Sequence, residues 1–196
     1  MAKFYLSFAF VLLVLCSNAQ TITISQETGG VSTSPLVPGA TNIAILGIQF
    51  DKSSGGMCEL DAFTVDLSSD PSGVWTNPRL YRSTDNTFAG IGSETLVSTG
   101  SIVGNSFVFD ETATFRTDFG GSGSQVDRFI FVVVDVAGGL NASTPTIQPS
   151  LVNTNVTSAG CTVNAGTVTG TSFSFLGLTI GSLNAGANNL AADPLI

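Results

Sequence analysis

The run Asp127-Arg128-Phe129-Ile130-Phe131-Val132-Val133-Val134-Asp135-Val136 decides how this chain folds. It is the longest unbroken apolar segment after the N-terminus, and its aromatic and β-branched residues suit a pleated, buried surface. Gly138-Gly139 and Asn141 follow, so the run stops at strand length, well short of a membrane span. Alternation along a strand points Phe129, Phe131 and Val133 to one face and Ile130, Val132 and Val134 to the other. Both faces are apolar, whereas an ordinary sandwich strand buries only one. Something must therefore cover the second face: a neighbouring strand end, a long connection or another molecule. Asp127, Arg128 and Asp135 read as charged guards against edge-to-edge aggregation.

Working outward, short apolar alternations recur with turn chemistry between them. Ala44 to Phe50 reads as a strand, and Lys52-Ser53-Ser54-Gly55-Gly56 as a turn. Leu60 to Leu67 follows, with Phe63, Val65 and Leu67 inward and Thr64 and Asp66 outward. Asp70-Pro71-Ser72-Gly73 suits a tight reversal. Arg79 to Ser83 is a short strand, and Ser83 to Gly92 a loop. Thr95 to Val103 and Ser106 to Phe109 make a hairpin around Gly104-Asn105. Thr146 to Val152 and Thr167 to Phe175 complete the set. Closely spaced strands without an amphipathic helix predict an all-β, Ig-like two-sheet antiparallel β-sandwich with extended segments at both ends.

The ends divide as follows. Lys3, the apolar stretch Phe8 to Leu15 and the small residues of Ser17-Asn18-Ala19 form a signal peptide over residues 1–19, cleaved to leave Gln20. Cys16 raises a lipoprotein alternative, which the bulky Leu15 before it disfavours. Residues 20–37 read as an N-terminal extended strand in which Ile22 and Ile24 alternate with Thr and Ser. Residues 38–176 are the sandwich domain, and 177–196 a C-terminal linker or donated strand. The N-terminal strand is expected to pair with its own sheet or, as the less favoured alternative, with a neighbour's; on that alternative Phe175, Leu178 and Ile180 join Ile22 and Ile24 as candidate assembly positions. No segment of the mature chain is long and apolar enough to span a bilayer as a helix.

Composition excludes several function classes. The chain carries 6 basic and 14 acidic residues, and loss of Lys3 with the leader takes the formal charge from −8 to −9. A chain of that charge repels nucleic acid. There is no histidine, so Ser-His and Cys-His nucleophile systems are absent and most zinc sites are ruled out. The pairs Asp61 and Asp66, or Asp110 and Glu111, formally allow a two-carboxylate glycosidase, but their positions suit solvated faces and turns better. Gly120, Gly121 and Gly123 lack the lysine and helix of a phosphate loop. We expect no catalytic residues, no metal and no cofactor. The mature chain keeps two cysteines, Cys58 and Cys161, which in an exported protein read as a disulfide. Trp75, Arg79, Tyr81 and Arg82 lie close together in sequence and form a candidate glycan platform, although the preferred reading makes Leu80 and Tyr81 strand positions and Trp75 a cap on one end of the core.

Two segments carry a family resemblance. Leu80-Tyr81-Arg82-Ser83-Thr84-Asp85-Asn86-Thr87-Phe88 and Phe129 to Val136 resemble the accessory domain at the N-terminus of BNR-repeat neuraminidases, over about residues 40–175. The resemblance implies an Ig-like sandwich and an accessory role, not sialidase chemistry. The leader and the Ser/Thr/Gly-rich style resemble exported proteins of the Bacteroidetes type, which implies a Gram-negative cell surface or exterior. The expected role is structural or adhesive, with other protein subunits or domains as partners and self-assembly through terminal strands. The alternative is a carbohydrate-binding accessory module of a secreted glycosidase-type protein, with glycans as partners.

Overall fold

A computed structural model describes residues 20–52, 59–110, 128–140 and 143–176. Among these residues regular structure is almost entirely strand: β1 (Gln20–Glu27), β2 (Ile43–Lys52), β3 (Glu59–Leu67), β4 (Trp75–Ser83), β5 (Thr95–Thr99), β6 (Ser101–Val103), β7 (Ser106–Phe109), β8 (Arg128–Val136), β9 (Pro149–Val152), β10 (Val156–Ala159), β11 (Cys161–Val163) and β12 (Thr167–Thr169). They form two sheets. The first has the order β11-β1-β2-β8-β4-β5. The second has the order β12-β9-β3-β7-β6, with β10 also paired to β3. Every pairing between these strands is antiparallel except β1 with β11. The expected all-β two-sheet sandwich is the observed architecture.

The apolar run becomes β8, flanked by β2 on one side and β4 on the other. Its two faces do what the alternation requires. Ile130, Val132 and Val134 enter the core between the sheets with Phe50, Phe63, Phe107 and Phe109. Phe131 and Val133 point the other way and build a second, smaller cluster with Ala44, Tyr81 and Phe88. Phe131 and Val133 are fully buried there. Because β8 is central, Asp135 and Arg128 guard no edge, contrary to the sequence reading; Asp127 lies outside the described residues.

The chain itself supplies the cover over that second face. After β1, the segment around Gly29-Gly30 crosses the outside of the first sheet and meets the loop after β4. Gly29 bridges Thr87 in parallel, and the Phe88 N–H donates to the Gly29 carbonyl at 2.9 Å. Ser32 then donates to the Ala44 carbonyl at 2.8 Å, and Val31 packs on the cluster. The approach is so close that only glycine fits. A Cβ on Gly29 would stand 2.3 Å from the Asn86 carbonyl oxygen, and one on Gly30, whose φ is +74°, 2.2 Å from that of Phe88.

The lateral sides are closed by strands that change sheets. β5 ends the first sheet and β6 the second, with Gly100 as the corner between them. The expected single strand from Thr95 to Val103 is therefore two. Gly100 donates to the Pro78 carbonyl at 2.7 Å, and a Cβ there would meet the Phe109 ring at 2.5 Å. On the opposite side β11 passes to β12 through Asn164, whose N–H donates to the Ile22 carbonyl at 2.8 Å.

The boundary expected at Pro38 does not separate two bodies. β1 pairs with β2 from Ile22 to Glu27, and Ile22 and Ile24 are buried in the main core. Leu36 donates to the Ser174 carbonyl and accepts from Leu176, both at 2.8 Å, so the connection after β1 is tied to the last described segment. The described chain begins at Gln20, level with the Arg128 end of β8, since Ile22 faces Lys52 and Phe50 faces Arg128. It leaves at Leu176, near the Val136 end, where Ala40 and Val136 are joined by a 2.8 Å bond. A strand of nine residues separates these ends by about 30 Å.

If the outer cluster is a true second core, Phe131→Ala will cost about 3–5 kcal/mol in urea unfolding, as for a buried phenylalanine between sheets. A loss near ~0.5 kcal/mol, typical of an exposed position, would show that the roof contributes nothing.

Candidate functional site

A charged, hydrogen-bonded arrangement is built around Asp135, on the outer face of β8. Two irregularities place its partners. In β4 the pairing with β8 slips between Thr76 and Arg79, because Pro78 has no N–H for the ladder and Asn77 adopts a left-handed φ of 51°. Asn42, just before β2, is left-handed too, with φ 60°. Asparagine tolerates that conformation better than most residues.

The result is a three-sided clasp. Asp135 Oδ1 accepts from the Asn42 backbone N–H at 2.9 Å and from Arg79 Nη2 at 2.6 Å. Asp135 Oδ2 accepts from Asn77 Nδ2 at 2.9 Å. Arg79 is fixed from behind by its Nε donating to the Asn77 carbonyl at 3.1 Å. Both side chains of the ion pair are 18% exposed, so the pair is more sheltered than an ordinary surface salt bridge. Desolvation is the largest single influence on Asp135 and pushes its pKa up. The bonds from Asn77 and Asn42 and the Arg79 charge together outweigh it, and the net pKa is lowered. Asp135 thus spends its acceptor capacity on three structural partners. It ties the turn before β2, the bulge in β4 and the end of β8 together.

Four other described carboxylates also fix local structure. Asp66 accepts from Ser106 Oγ at 3.2 Å and from Asn155 Nδ2 at 2.6 Å. Asp85 accepts from Ser83 Oγ and the Thr87 N–H, and Glu94 from the Ala89 N–H. Asp70 holds its turn through the Ser72 N–H at 2.8 Å, and hydrogen bonding from Ser72 lowers its pKa. Asp61 is half-buried at the start of β3, Asp110 is exposed after β7, and Glu111 and the glycines at 120, 121 and 123 lie outside the described residues. Among the described residues no three His, Cys, Asp or Glu side chains converge as metal ligands would. Nor is any described helix long and apolar enough to cross a membrane.

The candidate glycan residues do not share a surface. Trp75 is fully buried between the sheets, with the rings of Phe173, Phe107 and Phe175 at 5.9, 6.0 and 6.5 Å. Its Nε1–H is buried without a hydrogen-bond partner among the described residues. Tyr81 belongs to the outer cluster, edge-on to Phe88 at 6.0 Å. Arg79 is held in the clasp, and Arg82 is half-buried on β4 opposite Thr95 and Ile130. The exposed large apolar side chains among the described residues are all aliphatic: Val37, Ile91, Leu96, Val103 and Leu176.

The candidate assembly residues are internal where they are described. Ile22, Ile24 and Phe175 sit in the main core, while Leu178 and Ile180 lie outside the described residues. Cys161 is half-buried at the start of β11. Cys58 lies outside the described residues.

No family model matches the chain, and no curated protein matches it. Among solved structures, a DUF4466 family protein from Parabacteroides merdae is similar at 14% identity and a TM-score of 0.35, over 77% of this chain and 42% of that one. The match thus spans less than half of that protein, and a likeness of this size carries no argument about fold or role.

The clasp has a pH signature. Asp135 has a lowered pKa in the folded state, so it contributes stability above the unfolded carboxylate pKa of about 3.9. That contribution is lost as pH falls through the lower folded value. Asp135→Asn removes the titration while keeping the shape. Urea unfolding at neutral pH will show the variant less stable than the wild type, and the gap will close on acidification toward pH ~2. A gap that stays constant with pH would mean that the carboxylate charge is immaterial.

Proposed function

We propose that this chain is a non-enzymatic extracellular β-sandwich module with a structural or adhesive role on or outside the cell surface, exported by its leader and beginning at Gln20. The observation that supports this most directly is the self-covered central strand. Both faces of β8 are buried by the chain's own described segments, so that strand needs no partner to cover it. The described residues also begin and end at opposite ends of the sandwich, which suits a spacer or a displayed domain. The carboxylates with defined partners hold turns and strands together rather than standing free for chemistry. β1 is paired on both sides and its Ile22 and Ile24 are in the core, so assembly through that strand would first require it to leave its own sheet. The alternative role, a carbohydrate-binding accessory module, follows from the neuraminidase resemblance and would need a surface other than one centred on Trp75.

We also propose that Cys58 is the partner of Cys161. In the β10–β3 ladder Ala159 faces Glu59, and Gly160, with φ 77°, turns the chain into β11. Cys58 precedes Glu59 in the sequence, and Cys161 follows the turn. Such a bridge would staple the first sheet, through β11, to the second, through β3. It would close a loop on the order of 100 residues, worth up to about 4.7 kcal/mol on the chain-entropy model. Reduction should lower the unfolding midpoint of the mature chain, and the Cys58→Ser, Cys161→Ser double variant should match the reduced protein. Two free thiols in the native protein would dismiss the pairing.

The role itself is tested by incubating purified residues 20–196 with the cells that secrete the protein and measuring what survives washing. Saturable retention unaffected by competing mono- and oligosaccharides is the expected result. Retention abolished by sugars would move the protein to the carbohydrate-binding class. Turnover of a glycoside panel would overturn the non-enzymatic reading.

A further inference from the structure

We draw no further inference here: the strongest candidate, the exposed aliphatic pair Val37 and Leu176 at the end of the sandwich where the described chain leaves the body, is an unpartnered apolar patch, and nothing in the structure shows what covers it.

Discussion

A strand that is apolar on both faces must be buried on both, and β8 imposes that demand on everything around it. Burying a single large apolar side chain is worth about 1.5–3 kcal/mol. Leaving Phe131 and Val133 in water would forfeit two such terms and present a sticky surface. The second sheet can satisfy only one face. The other is met by lengthening the connection between β1 and β2 until it crosses the outside of the first sheet. Gly29 and Gly30 are the condition for that solution, since the crossing brings backbone against the carbonyls of Asn86 and Phe88 with no room for a side chain. Two glycines in one segment thus answer a phenylalanine and a valine a hundred residues away.

Asp135 is the polar counterpart of the same constraint. It continues the outer-face phase of Phe131 and Val133, but the roof does not extend to it. A half-sheltered carboxylate there must be hydrogen-bonded to be tolerated. The turn at Asn42 and the bulge at Asn77-Pro78 bring the donors, and each needs an asparagine in a left-handed conformation. The strain of those two residues and the desolvation of the carboxylate offset part of what the clasp contributes. Its effect is positional: it holds three segments at one end of the first sheet, where the connection after β1 rejoins β2.

Strands with enough residues to display a period of two were readable in the sequence. Those beginning at Ile43, Glu59 and Ser106 and the central one all lie where alternation puts them, and Phe63, Val65 and Leu67 face inward as read. The misses have physical causes. Thr95 to Val103 is continuous in β-propensity, so the change of sheet at Gly100 depends on the Phe109 ring from another strand. β10, β11 and β12 have three or four residues each, too few for a pattern, and are held by pairing with β3, β1 and β9. Trp75, Arg79, Tyr81 and Arg82 lie close in sequence, but sequence proximity ignores the bulge in β4 between Thr76 and Arg79, which re-phases the strand and sends Trp75 inward and Tyr81 outward. An acidic residue near a strand end looks alike as a guard or as an anchor. The partners that make Asp135 an anchor lie 93 and 58 residues away.

The same closures that complete the fold narrow what it can offer to others. Adding a strand to a sheet requires a long, regular, accessible edge. On one side the first sheet ends in β5, five residues long and irregular against β4 between Leu80 and Tyr81, and the chain then turns away at Gly100. On the other side it ends in the three-residue β11, from which the chain departs to the second sheet. The second sheet is bounded by β6 and β12, three residues each. Short, bulged or bent edges are poor templates for pairing, so the terminal-strand assembly that a loose Thr21-Ile22-Thr23-Ile24 suggests would have to compete against a sheet that already holds that segment on both sides. Among the described residues, every sheet edge is thus short, bent or already paired to the next segment of the chain.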